Sequence, residues 1–368
     1  MASESDKIGE SLMLFRAHHA LADGASMAAA FLDLGDEAPQ IRALIQQEVD
    51  KRFGKATSTW WKKVYQQFLF ALWMVTGSLS SAWYHFKLSC ANLWWTVWGS
   101  NPWAVLEREY TLQQKAEGKE EIPDRSVSFA TLCTVEQAKW VAQTLAGRRA
   151  TLNDVMCTAV SRALAKQLQW HRQQREATHD CDSSKTKTLP QLKHFHMAVP
   201  VHLKGGIIMP NESVSNSIGA FCVSLPCEND QSGTERLKKV HKELSIVKRR
   251  PTAFLSHYAA RISSQVLPAS WVSYLFSRAG AGSSCVVTNV RGYDRAIHLQ
   301  GSKIEAMYGF VPLAPGIPIG VVVGSYNGQV QLTLTAQPWA VPDADRFLSW
   351  VMEDYVDLVH AAAAKDSD

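Results

Sequence analysis

Four residues near the start of the chain could do chemistry together. His18 and His19 are adjacent, and Asp23 and Gly24 follow after a short gap, in the stretch RAHHALADGASM. An imidazole titrates close to neutral pH, so a histidine held in place can take a proton from a hydroxyl. The apolar line SLMLF ahead of the pair reads as part of a short strand over residues 11–17. Gly24 suits a tight turn after it. Asp23, four residues beyond His19, can fix the backbone or pair with an arginine. The plain alternative is two incidental histidines beside a turn.

Such a site needs elements to position it. A helix is expected over ASMAAAFLDL and a second over residues 38–53. A charged loop, residues 107–125, reads as a boundary between two halves. Then come a strand, SVSFATLC, and the helix TVEQAKWVAQTLAG. Thr134 is its expected N-cap, Gln137 completes a capping box and Gly147 stops it. In TLNDVMCTAVSRALAKQL, apolar residues repeat at helical spacing from Val155 to Leu168, after Thr151 as a cap. A polar insertion, residues 171–190, follows and reads as a loop.

HFHMAVPV and IGAFCVSLP read as strands. Residues 230–250 read as a basic amphipathic helix, and two helices flank Pro268. SCVVTNV is a strand. In IGVVVGSYNGQVQLTLTAQ, Asn327-Gly328 marks a two-residue hairpin turn, and Val330, Leu332 and Leu334 mark one buried face. A last helix covers about 343–363. Without a strict βαβ rhythm, this order predicts an α+β fold with a mixed sheet.

One region stands apart. Residues 64–86 and 88–106 contain no Asp, Glu, Lys or Arg, and eight of the 13 tryptophans fall within residues 60–106. About 20 mainly apolar residues can span a bilayer, and tryptophan favours the membrane interface. Gln66, Gln67, Ser78, Ser80, Ser81 and Asn92 dilute the hydrophobicity. Three readings stand: interfacial or re-entrant helices, a true span or hairpin, and buried helices of the core.

Composition narrows the function classes. The chain has 368 residues, 46% hydrophobic and 20% charged, with a net charge of +4. That is globular, and no arginine-rich or aromatic-interleaved pattern points to nucleic acid. Seven scattered cysteines without a C-x-x-C read as reduced thiols, mostly core filler, in a cytosol-facing protein. Their spacing does not fit a zinc site, so no metal is expected. The polar, acidic start carries no signal-peptide pattern.

H-H-x-x-x-D-G, here HHALADG, is the signature of the coenzyme A-dependent acyltransferase superfamily with the chloramphenicol acetyltransferase-like fold. Within it, the chain resembles the wax ester synthase/acyl-CoA:diacylglycerol acyltransferases. TLNDVM resembles that family's Asn-Asp motif, at Asn153 and Asp154, and MAVPVHL its Pro-Val strand. NSIGAFCVSLP resembles its G-N-x-x-G-type segment, at Asn216 and Gly219. VVTNVRG resembles its S-N-V-x-G segment, with Thr288 in place of serine and Arg291 in place of proline. The resemblance runs from about Leu12 to the end.

It implies a two-lobed acyltransferase with mixed sheets. Residues 1–120 would form part of the N-terminal lobe, with residues 60–106 as a membrane-associating segment, and residues 121–368 the C-terminal lobe. In the family a substantial section and a P-L-W-type motif precede HHxxxDG. Here 17 residues precede His18, so an incomplete first lobe is expected. The implied reaction moves a fatty acyl group from acyl-CoA, a co-substrate, to diacylglycerol or a fatty alcohol, with no bound cofactor. His19 would be the general base and His18 an orienting residue. Asp23 and Gly24 would form the scaffold. Asn153 and Asp154 are either site residues or helix caps, and Asn289 either donates into the pocket or satisfies a crossing loop. Lys238, Lys239, Lys248, Arg249 and Arg250 are either coenzyme A phosphate ligands or a solvated helix face. The expected location is a membrane or lipid-droplet surface, cytosol-facing, at the endoplasmic reticulum or plasma membrane.

Overall fold

The structure, a computed structural model, describes residues 11–367 apart from 20, 54–59, 98–100, 119–123, 179–188, 191, 193, 204–215, 228–231, 281 and 315. The chain up to residue 116 is helical: α1 (Gly24–Leu32), α2 (Ala38–Phe53), α3 (Trp60–Val97) and α4 (Pro102–Ala116). Then follow β1 (Ser126–Thr134), α5 (Val135–Ala146), α6 (Leu152–Thr178), β2 (His194–His202) and β3 (Ile218–Pro226). Next come α7 (Gly233–Lys248), α8 (Thr252–Val266), α9 (Ala269–Gly280) and β4 (Cys285–Arg291). A short hairpin, β5 (His298–Leu299) and β6 (Ser302–Lys303), precedes β7 (Ile319–Tyr326), β8 (Gln329–Ala336) and α10 (Ala344–Ser367).

The fold is α+β. Six strands form one mixed sheet in the order β1-β8-β7-β4-β2-β3. The pairs β2–β4 and β4–β7 are parallel, and the remaining pairs antiparallel. The main core joins the apolar faces of α5, α6, α7 and α10 to the sheet through residues such as Val160, Leu164, Phe195, Val321, Leu332 and Phe347. Asn327 and Gly328, at φ 49° and 72°, make the left-handed turn that joins β7 to β8. The polar face of β8 is covered as well as its apolar face. Gln331, Thr333 and Thr335 are buried, and Thr333 Oγ1 donates to the Gly309 carbonyl in the irregular segment before β7. The alternation of Val and Leu with Gln and Thr therefore marks two environments, both inside.

Several expectations change. Residues 11–17 form no strand. Leu12 is 97% exposed, and no described strand lies beside it to complete a backbone ladder. The expected boundary loop is largely helix α4. Asn101 Oδ1 accepts the Trp103 N–H, Pro102 sits in the first turn, and Trp103 and Leu106 are buried. Helix α6 runs on to Thr178, into the expected polar loop, where Arg175 pairs with Glu109 of α4. At α5, Thr134 Oγ1 accepts the Gln137 N–H at 3.0 Å, but the Gln137 side chain bonds Tyr355 instead of closing the box. Of the six described cysteines, all free, Cys90 is exposed and not core filler; Cys181 lies outside the described residues.

Helix α3 spans 38 residues, about 57 Å at ~1.5 Å per residue. One stripe docks it against α8 and the turn before α8. Trp73 Nε1 donates to the Arg249 carbonyl at 2.9 Å, and Ser81 Oγ lies 2.6 Å from Thr252 Oγ1. Between them, a Cβ on Gly77 would fall 2.5 Å from Pro251 Cδ, so only glycine permits this approach. The guanidinium of Arg250 lies over the Tyr84 ring. Away from that stripe, Phe68, Leu72, Val75, Leu79, Trp83 and Phe86 are exposed, so α3 is not a core helix. No described helix is long and apolar enough to cross a membrane. The side chains of Trp60, Trp61, Trp94 and Trp95, and residue 98, lie outside the described residues.

Candidate active site

Strand β4 ends among the motif residues. Asn289 and Val290 are consecutive, so they point to opposite faces of the sheet. Asn289 Nδ2 donates to Asn153 Oδ1 at the start of α6. Val290 packs under Gly24 at the start of α1, where an added Cβ would meet Val290 Cγ2 at 3.2 Å. The His-Asp segment and the Asn-Asp segment thus reach one strand end from its two sides. Gly24 is there for close approach. It opens a helix, and its φ is not in the left-handed region, so the turn expected of it is absent.

A cavity of about 490 Å³ surrounds this strand end, within the range of small-molecule sites. Asp23, Gly24, Asn153 and Asn289 all border it. Its body is apolar, with Met156, Val199, Phe221, Leu244 and Phe254 in the wall and Trp73 brought in by α3. Cys157 also borders it, but burial pushes its thiol up to about 12, against the pull of Lys248, so it is no thiolate. An open depression lined by Trp140 and Thr144 holds none of the motif residues.

Asp23 is fully buried and acts through its oxygens on backbone N–H groups. Oδ1 accepts from Ser26, capping α1, and Oδ2 accepts from Ser217, both at 2.8 Å. His202, at the end of β2, brings Nε2 to 3.6 Å from Oδ2. One residue before Ser217, Asn216 Nδ2 donates to the His19 carbonyl at 3.1 Å. Asn216 and Ser217 thus tie the histidine loop to the entry of β3. His18 and His19 are exposed and do not border the cavity.

Asp154 is a buried hub. Its carboxylate accepts the Thr151 N–H at 2.7 Å, which is a capping contact. It also lies 2.9 Å from His241 Nδ1 and 3.2 Å from Lys248 Nζ, both on α7. Asp154 therefore locks α6 to α7 and does not border the cavity, whereas its neighbour Asn153 does. Lys248 and Arg250 border the cavity, and Lys238 and Lys239 are on the solvated face. His202, His241 and Trp73 were not picked out from the sequence as site residues. His202 closes the quoted strand MAVPVHL and could have been found there. The partners of His241 and Trp73 lie 87 and 176 residues away, and no local pattern announces them. Among the described residues, no group of three His, Cys, Asp or Glu side chains could hold a metal ion.

The wax ester synthase/diacylglycerol acyltransferase from Marinobacter aquaeolei VT8 aligns at 18% identity and TM-score 0.43, over 72% of this chain and 57% of that one. The first condensation domain of the CDA synthetase aligns at 14% identity and TM-score 0.40, over 93% and 62%. PapA2 acyl transferase aligns at 12% identity and TM-score 0.35, over 65% and 45%. The chain therefore spans less than two thirds of each of these structures. A search of curated proteins finds no match. Residues 214–358 match the WS/DGAT C-terminal domain, and that stretch supplies β3, β4 and the β7–β8 hairpin.

Proposed function

We propose that the chain is an O-acyltransferase that moves a fatty acyl group from acyl-CoA to diacylglycerol or a long-chain alcohol. The observation that carries this reading is convergence: Asp23, Asn153 and Asn289, distant in sequence, border one apolar cavity at the end of β4. His19 takes the proton of the acceptor hydroxyl. The oxygen attacks the thioester carbonyl carbon, and the tetrahedral oxyanion needs a donor. A carboxamide has two N–H groups, and Asn289 uses one on Asn153, so the second is available for that oxygen. The C–S bond then breaks, and the coenzyme A thiolate takes the proton from His19. The Asn216 bond to the His19 carbonyl sets the loop, leaving the ring exposed to meet an acceptor.

Expression of the full chain in a yeast strain lacking neutral-lipid synthesis tests this. Restored triacylglycerol or wax ester, absent with His19→Ala, is the expected result. No ester from either chain would contradict it.

A second reading is favoured by the exposed apolar side chains of α3: a non-catalytic relative that binds a membrane or lipid droplet through residues 60–106. The same surface would serve the enzyme, whose acceptor and product reside in lipid, at the endoplasmic reticulum or plasma membrane. Flotation with liposomes reads it directly. Leu79, Trp83 and Phe86 changed together to serine should abolish flotation, and unchanged flotation would sink the anchor.

A further inference from the structure

The cavity is chemically uneven: Lys248, Arg250 and Arg291 border it, Arg291 paired with Asp294 and the other two drawn from one short run of sequence. Residues 235–250 carry seven lysines and arginines against Glu235 and Glu243, while the whole chain nets only +4. Two of those cations, Lys248 and Arg250, border the cavity. Neither sits there as a loose surface charge. Asp154, itself buried, holds Lys248 Nζ at 3.2 Å. Tyr84 supports Arg250 face-on, with the guanidinium carbon 5.1 Å from the ring centroid. Nη1 of Arg250 is buried and has no hydrogen-bond partner among the described residues. A guanidinium with an unspent donor at the edge of an apolar chamber fits a phosphate, which offers several acceptor oxygens. Exposed Lys238, Lys239 and Lys242 continue the positive field along α7 towards the lip.

We propose that Lys248 and Arg250 form a phosphate-binding lip that holds the diphosphate end of the acyl donor while the thioester enters the apolar body of the cavity. This rests on the acyl-CoA reading above and adds to it the place of the donor. An anionic lipid headgroup carries the same chemistry, so the test separates the two sources.

Titration calorimetry of the full chain with free coenzyme A, and with phosphate-free pantetheine, reads the lip without requiring turnover. Arg250→Gln should weaken coenzyme A binding roughly tenfold or more. Arg250→Lys should recover part of the loss, and pantetheine should bind wild type and both variants alike. Lys248→Gln should act in the same direction, and its thermal unfolding, measured alongside, separates loss of phosphate contact from loosening of the Asp154 cluster. Equal coenzyme A affinity in wild type, Arg250→Gln and Lys248→Gln would overturn the lip and leave the acyl-transfer reading intact. No coenzyme A binding by wild type would overturn both. Vesicles of phosphatidylserine are the last arm: if Arg250→Gln loses vesicle binding but keeps coenzyme A affinity, the lip serves a headgroup and the proposal fails.

Discussion

Two segments meet at the end of β4, and they are held in opposite ways. The α6 side is built into the core. Asp154 is 1% exposed and spends its carboxylate on Thr151, His241 and Lys248. The α1 side is tied down at a few points, by Asp23 on two backbone N–H groups and by Asn216 on the His19 carbonyl, and its histidines stay exposed. The difference separates two kinds of motif residue. The two aspartates are anchors whose oxygens are already occupied. His19 has a fixed backbone and an accessible ring, which is what a proton acceptor for an incoming hydroxyl requires.

The contrast can be broken most severely at Asp154. Asp154→Ala leaves the Lys248 ammonium, His241 Nδ1 and the Thr151 N–H without their partner. It should cost on the order of 3 kcal/mol, less than a fully buried pair because Lys248 keeps 37% side-chain exposure. Chemical denaturation measures it, and a loss below ~1 kcal/mol would mean that α6 is not anchored there.

Acid should strain the sheet that carries both segments. Burial lowers the pKa of His196 on β2 from 6.5 to about 4, partly opposed by a backbone hydrogen bond involving Gly282. A base with a depressed folded pKa contributes no penalty above pH 6.5. Stability is then lost as pH falls from 6.5 to about 4, where the unfolded chain takes a proton that the folded one refuses. The loss is about 3 kcal/mol at most. Denaturation midpoints across that window should fall for wild type and flatten in His196→Phe. An equal slope in both would place the acid sensitivity elsewhere.

On the loop side the effects are smaller. Asp23→Ala removes the cap of α1 and the tie to Ser217, and should cost about 1–2 kcal/mol. Because it frees the histidine loop, turnover should fall by more than the stability loss explains. Asp23→Asn, which keeps one acceptor oxygen, should recover part of both. Gly24→Ala pushes a methyl group to 3.2 Å from Val290 Cγ2 and should cost about 1 kcal/mol. Val290→Ala in the same chain should relieve it, and additive effects in that double mutant would contradict close packing at this point.

How much of this could be read beforehand follows the same division. The β7–β8 turn, the Thr134 cap and the apolar face of α6 are written in neighbouring residues, and each formed as expected. The expected strand at 11–17 failed because a strand is a property of two segments, and sequence shows only one of them. Helix α4 was hidden by its charges, although Trp103 and Leu106 keep helical spacing beneath them. The motifs named Asp23, Asn153, Asp154 and Asn289 without their roles, because those depend on partners such as Ser217, His241 and Lys248 that no local pattern pairs with them. The cations of residues 238–250 divided in the same way: folding brought Lys248 and Arg250 to the cavity and left Lys238 and Lys239 on the solvated face.

The most direct test of the account is a paired measurement on purified wild type and His19→Ala: the rate of ester formation from acyl-CoA and a lipid alcohol, alongside the thermal unfolding midpoint. An exposed general base that bears no structure should be removable without cost to the fold. The account predicts a turnover at least ~100-fold lower with an unchanged midpoint. Retained turnover in a folded His19→Ala chain would contradict it.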